Sequence, residues 1–323
     1  MALKSYTAAL TPPQATRLCA LLREEGFEMP PRPYTLGFGQ KGHLTVAVYE
    51  KGPKVVIQGR DTEDFVKFRL EPEILGEAKL GYEEELSPDQ FQPHFGIDES
   101  GKGDFFGPLV ISGAYVDRGI ARALREAGVT DSKRIGSDAR IRELASVIRG
   151  QPGAVHEVII VGPETYNRLV VKFGNVNRLL AWGHARVLEN LLAKRPDCPR
   201  ALSDQFAKPE VLKRALLEKG RTIQFDTATK AESDPAVAAA SILAREGLID
   251  WMDRTGREIG CRLPRGASAE VKRVARELVA GRGAEVLNRL AKTHFRTAHE
   301  VAPTHFAAPP PRSTHWGGGK ADS

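Results

Sequence analysis

Gly96-Ile97-Asp98-Glu99-Ser100-Gly101-Lys102-Gly103-Asp104-Phe105-Phe106-Gly107-Pro108 is the stretch on which the reading of this 323-residue chain turns. A short apolar run, Phe95–Ile97, ends in two adjacent carboxylates, and a Gly-x-Gly turn follows. Burying unpaired charge at a strand end costs several kcal/mol. Hard divalent cations would offset that cost, because they prefer carboxylate oxygens. Gly101 and Gly103 carry no side chain, so their amides can come close to a sugar–phosphate. On spacing alone, an ordinary polar strand–turn stays open as the alternative.

Outward from this stretch, strands and helices alternate from His94 on, the pattern of an α/β unit. Strands are expected at Phe95–Ile97, Leu109–Val116, Val155–Val161, Ala201–Leu202 and Ile223–Phe225. Helices are expected at Ala121–Ala127, Asp138–Ile148, Asn177–Ala193, Pro209–Glu218 and Val237–Trp251, with a further pair near 268–292. Open α/β sheets carry their sites at the carboxyl ends of strands. Asp204 lies at such an exit, after Ala201-Leu202, and Glu232 and Asp234 stand just before the helix at Val237. Taken singly, each acid is more often a cap or turn residue than a ligand. Asp234 ahead of Pro235 suits a helix N-cap.

Towards the N-terminus, residues 1–75 read as a small α+β unit. Thr11-Pro12-Pro13 offers a hydroxyl N-cap and prolines where amides are not needed. Strand-like runs follow at Tyr34–Phe38, Leu44–Tyr49 and Lys54–Ile57, and Asp61 is expected to cap a second helix through about Leu70. Residues 76–93, acidic and dotted with breakers, read as a linker. Residues 94–301 form the α/β unit. From 302 to 323 the chain is rich in proline and glycine and reads as a disordered tail.

The net charge of +6 suits a polyanionic partner without proving one. Residues 1–93 hold 11 basic and 14 acidic side chains, so the excess of positive charge lies in the remainder. No apolar run approaches the ~20 residues of a membrane helix, and the first residues lack the apolar core of a signal peptide. Cys19, Cys198 and Cys261 are scattered without CxxC spacing, so neither a disulfide framework nor a zinc site is expected. A cytoplasmic protein with no membrane partner follows from these features.

The motif Gly-x-Asp-Glu-x-Gly-x-Gly-Asp-x-Phe-Gly-Pro resembles the opening block of type 2 ribonucleases H, and of ribonuclease HIII in particular. Lys102 and the run Asp104-Phe105-Phe106 follow the HIII style rather than the HII style. Asp131-Ser132-Lys133, Asn175-Val176-Asn177 with His184, Ser203-Asp204-Gln205-Phe206, Lys230-Ala231-Glu232 with Ala238–Arg245, and Lys292-Thr293-His294-Phe295 resemble further blocks of the family. Six blocks stand in the family's order over about 200 residues.

The resemblance implies a ribonuclease-H-like mixed sheet with flanking helices, preceded by a TATA-box-binding-protein-like domain over residues 1–75. It implies catalytic residues Asp98, Glu99, Asp204 and Glu232, with Asp234 the alternative for the fourth. Asp98, Glu99 and Asp204 would hold two Mg²⁺ or Mn²⁺ ions. Gly101, Lys102, Gly103 and Lys133 would contact substrate, while His184 and Arg245 would be structural or phosphate contacts. The implied activity is cleavage of the RNA strand of RNA/DNA hybrids by a monomer. Two other readings are cleavage at single embedded ribonucleotides and hybrid binding without catalysis.

Overall fold

The computed structural model describes residues 3–77, 83–205, 209–216, 219–229 and 231–307. The chain divides into two compact units, Met1–Gln92 and Pro93–Ser323. Residues 78–82 of the expected linker, 308–323 of the expected tail, Phe206, Glu218 and Lys230 lie outside the described residues.

In the first unit, β1 (Ser5–Ala9), β2 (Thr35–Lys41), β3 (Leu44–Tyr49) and β4 (Lys54–Gly59) form an antiparallel sheet in the order β1-β4-β3-β2. Three strands were expected here; β1 is the addition. Its sequence, Ser-Tyr-Thr-Ala-Ala, has no large alternating apolar side chains. Edge pairing to β4 makes it a strand, and local pattern cannot show that. Helix α1 (Pro12–Glu24) starts with a capping box between Thr11 and Gln14 and buries Leu18, Cys19 and Leu22. Asp61 makes no side-chain cap at α2 (Thr62–Phe65). The helix continues in wider turns over Val66–Leu75, past the expected end, and stops at the left-handed Gly76. Short helical turns, α3 (Glu83–Leu86) and Pro88–Phe91, lie within the stretch read as a linker.

The second unit is built on a five-stranded mixed sheet, β7-β6-β5-β8-β9. Its strands are β5 (His94–Ser100), β6 (Leu109–Val116), β7 (His156–Val161), β8 (Arg200–Asp204) and β9 (Gln224–Ala228). β5, β6 and β7 pair antiparallel, whereas β8 runs parallel to β5 and β9 parallel to β8. The connecting helices are α4 (Arg118–Glu126), α5 (Asp138–Arg149), α6 (Pro163–Phe173), α7 (Val176–Lys194), α8 (Pro209–Ala215) and α9 (Pro235–Ile259). α10 (Ala269–Arg282), α11 (Val286–Leu290) and α12 (Arg296–Val301) close the unit. α6 was not expected, although its signals are local: Pro163 in the first turn, Glu164 beside it and a left-handed Gly174 at the end.

Two glycines show how the sheet is covered. A Cβ on Gly96 would lie 2.1 Å from the Ala236 carbonyl carbon, so α9 presses directly on β5. A Cβ on Gly113 would lie 2.7 Å from Leu191 of α7. Gly113 pairs with Ile97, the neighbour of Gly96, and successive strand residues face opposite sides. α9 and α7 therefore cover opposite faces. Phe95, Ile97, Ile111, Leu180, Leu188, Ala239 and Leu243 belong to the core between them.

Candidate active site

Strand periodicity separates the two neighbouring acids of β5. Asp98 points to the face of Gly96, the α9 side, and Glu99 to the α7 side. On the α7 side, His184 is fully buried: its Nε2 is 3.1 Å from Glu99 Oε2 and its Nδ1 is 3.0 Å from Ser203 Oγ. His184 is thus a structural bridge here rather than a phosphate contact. On the α9 side the β5–β8 register pairs Ile97 with Ser203, which sets Asp204 beside Asp98 one residue on. Asp204 is the last residue of β8, which runs two residues past the expected Ala201–Leu202 strand. Its Oδ1 accepts from the Ala231 amide at 3.3 Å, tying it to the turn Ala231–Ser233 that carries Glu232.

Asp234 does something else. It caps α9, accepting from the amides of Ala236 and Val237, and it meets buried His94 at 2.9 Å. Asp234 is thus taken up by the cap and by His94, whereas the turn that carries Glu232 is tied to Asp204.

The electrostatics describe a crowded anionic site. Burial and the charge of Glu99 hold the Asp98 carboxyl well above the usual carboxylate range, and Asp204 adds to this. For Glu99 burial acts in the same direction, but the hydrogen bond and charge of His184 outweigh it and hold it below its usual value. Burial pulls the Lys133 ammonium down; Asp98, Asp131, Asp204 and Glu232 outweigh that and raise it. Lys133 thus feels all these acids at once. Lys102 lies 3.7 Å from Glu99 Oε1 and is exposed.

Lys133 is aimed by its own loop. The Asp131 side chain accepts from the Lys133 amide at 3.1 Å. From α9, Ser241 Oγ accepts from the Ser132 amide at 2.9 Å, and Arg245 Nη1 donates to the Ser132 carbonyl at 2.5 Å. Arg245 is accordingly a loop holder that also lines the cleft. The cleft, about 640 Å³, is lined by Asp98, Glu99, Gly101–Asp104, Lys133, Asp204, Gln205, Arg245 and Arg265, among others. Sequence reasoning singled out neither Gln205 nor Arg265 as site residues. Arg265 comes from a loop far along the chain and carries no local signal.

The two turn glycines differ. Gly101 has φ +88°, and a Cβ there would lie 2.2 Å from the Pro108 carbonyl oxygen, so the fold itself requires glycine. Gly103 has open space around it, and nothing within the protein forbids a side chain. Phe105 and Phe106 are fully buried in the core with Leu248, Leu290 and Ala291.

As the side chains stand, no three His, Cys, Asp or Glu groups among the described residues are gathered so as to hold a metal ion. The donor chemistry nonetheless suits one. Asp98, Glu99, Asp204 and Glu232 offer hard oxygens in excess of their cationic partners, and a divalent ion relieves that repulsion.

The family described as Ribonuclease HII matches residues 95–298. The chain is 41% identical over 298 residues to a ribonuclease HIII of Chlamydia caviae, covering 92% of this chain and 97% of that one. It is 39% identical over 287 residues to a ribonuclease HIII of Protochlamydia amoebophila, covering 89% and 93%. Among solved structures, Bst-RNase HIII in complex with Mn²⁺ superposes with a TM-score of 0.64 at 28% identity, over 93% of this chain and 98% of that one.

Proposed function

As the chain belongs to the ribonuclease HIII family, we propose that it cleaves the RNA strand of RNA/DNA hybrids at the Asp98 cleft, leaving 3′-hydroxyl and 5′-phosphate ends. The protein is a ribonuclease, hence a hydrolase and a nuclease. The observation that carries the assignment of the site is the side-by-side placement of Asp98 and Asp204 at the ends of β5 and β8, with Lys133 under the influence of both and of Glu232.

Asp98, Glu99 and Asp204 would hold two Mg²⁺ or Mn²⁺ ions, with Glu232 completing the acid set; bound there, the ions would supply Lewis-acid activation of water and charge stabilisation at the leaving 3′ oxygen. His184 keeps Glu99 oriented. Lys133, Lys102 and the amides of Gly101 and Gly103, which line the same cleft, would contact the RNA backbone and its 2′-hydroxyls, and the 2′-hydroxyl is what separates RNA from DNA. Residues 1–75 act as a TATA-box-binding-protein-like unit that adds affinity, 76–93 as a linker and 94–301 as the catalytic domain. The enzyme works as a monomer in the cytoplasm. No helix among the described residues is long and apolar enough to cross a membrane.

The test is turnover of a labelled hybrid with and without Mg²⁺ or Mn²⁺, with the ends of the products identified. Metal-dependent cuts within an all-RNA strand, leaving 5′-phosphates, are expected. Cleavage only at a single ribonucleotide embedded in DNA, or binding without cleavage, would overturn the proposal.

A further inference from the structure

Lys292, in the closing Lys-Thr-His-Phe block, is fully buried. It holds a single loop at three points. Its amide donates to the Phe105 carbonyl at 2.8 Å, and its Nζ donates to the carbonyls of Asp104 at 2.9 Å and Gly107 at 2.6 Å. Its neighbours reinforce the grip. The Gly107 amide donates to the Leu290 carbonyl at 2.9 Å, and Phe106 pairs with Ala291 as an antiparallel bridge. From the other direction, the Phe105 amide donates to the Gly266 carbonyl and the Gly266 amide to Asp104 Oδ1.

The loop so held begins with Gly101, Lys102 and Gly103, which line the cleft. Its near end turns at Gly101, whose backbone at φ +88° runs so close to the Pro108 carbonyl that no side chain fits between them. Its far end is fixed by Lys292. An apolar side chain would fill the same space without the cost of desolvating an amine, so packing alone does not explain a lysine. Two carbonyls three residues apart are pinned together only by a donor placed between them.

We propose that Lys292 is a positioning residue for substrate binding: by holding the carbonyls of Asp104 and Gly107 it sets the Gly101–Gly103 turn against the hybrid. It acts on affinity, not on the chemical step. The inference rests on the hybrid-cleaving reading above.

The experiment compares Lys292→Met and Lys292→Gln with wild type in the full chain. Hydrogen exchange of the amides of residues 102–107 is measured without substrate, and KM and kcat are measured on a hybrid. For Lys292→Met, KM should rise about ten-fold with kcat within about two-fold, the signature of lost uniform binding. Exchange in residues 102–107 should quicken about ten-fold while β5 and β6 stay protected. Lys292→Gln keeps two N–H donors on a shorter arm and should fall between the two. It carries the test if the methionine variant does not fold. A lower melting temperature with KM and exchange unchanged would overturn the proposal, as would a loss confined to kcat. Faster exchange with KM unchanged overturns it alone, whereas a wild-type protein inert on hybrids overturns the functional reading as well.

Discussion

His94 Nε2 lies 2.9 and 3.0 Å from the two carboxylate oxygens of Asp234, and both side chains are buried. This contact ties the first residue of β5 to the N-terminus of α9, and Asp234 Oδ1 at the same time accepts from two amides of the helix. The carboxylate is fully occupied by structure. Asp234→Ala should therefore lower stability by about 3 kcal/mol, through the stranded His94 and the lost cap. Glu232→Gln should leave the melting temperature nearly unchanged and reduce kcat far more than Asp234→Asn does. Side-by-side melts and saturating kinetics check this; a larger kcat loss from Asp234→Asn would reverse the assignment.

Asp98→Asn should abolish cleavage and yet melt at a higher temperature than wild type in the absence of metal. Burial and Glu99 make the Asp98 carboxylate unfavourable in the folded state, and a neutral isostere removes that repulsion. A folded variant retaining more than roughly a tenth of the wild-type kcat would show that Asp98 is not central.

The glycines of the turn should respond in opposite ways. Gly101→Ala forces a side chain into a left-handed backbone and against Pro108, so stability should fall by about 1–3 kcal/mol. Gly103→Ala meets nothing within the protein, so it should fold normally while KM for the hybrid rises several-fold. Equal melting temperatures for the two variants would contradict this reading.

Burial pulls the Lys292 ammonium down to about 7, with the Asp104 charge opposing. His294 and the Tyr166 ring are its other polar or aromatic neighbours, the ring centre being 5.6 Å from Nζ. Above about pH 7 the unfolded chain binds the proton and the folded chain does not, so stability due to this group rises with pH until the amine's ordinary value of about 10.4. Chemical unfolding at pH 6 to 9 should show wild type gaining on Lys292→Met by roughly 1 kcal/mol per pH unit above pH 7. A difference independent of pH would mean that Lys292 keeps its proton throughout.

A chain beginning at Gln92 should bind hybrid more weakly, raising KM strongly with little change in kcat. Charge gives the first unit little grip: residues 1–75 hold 10 basic and 9 acidic side chains, and Lys41 is already committed to the Glu25 carbonyl at 2.6 Å. On the proposed reading, shape and polar contacts on the sheet would supply the affinity instead. The competing outcome, a lower melting temperature with KM unaltered, would assign the unit a purely stabilising role.

The sequence by itself determined which residues could do chemistry, and roughly where the strands and helices fall. Asp98-Glu99 before Gly101-x-Gly103, Asp204 at a strand exit and Glu232 before an Ala-rich helix are local signals, because strand periodicity and turn chemistry act over a few residues. Tertiary structure decided what each residue is for. β1 exists only through its partner β4, and no pattern in Ser5–Ala9 announces that pairing. Asp234 ahead of Pro235 already suits a helix cap locally, but its contact with His94, 140 residues away, is visible only in the folded chain. Glycine at 101 is explained by Pro108, His184 by Ser203 and Glu99, and Lys292 by carbonyls more than 180 residues earlier. Apart from Gly101 and Pro108, seven residues apart, each of these roles is a contact between distant parts of the chain, which forms when packing closes the unit, and local sequence carries no record of it.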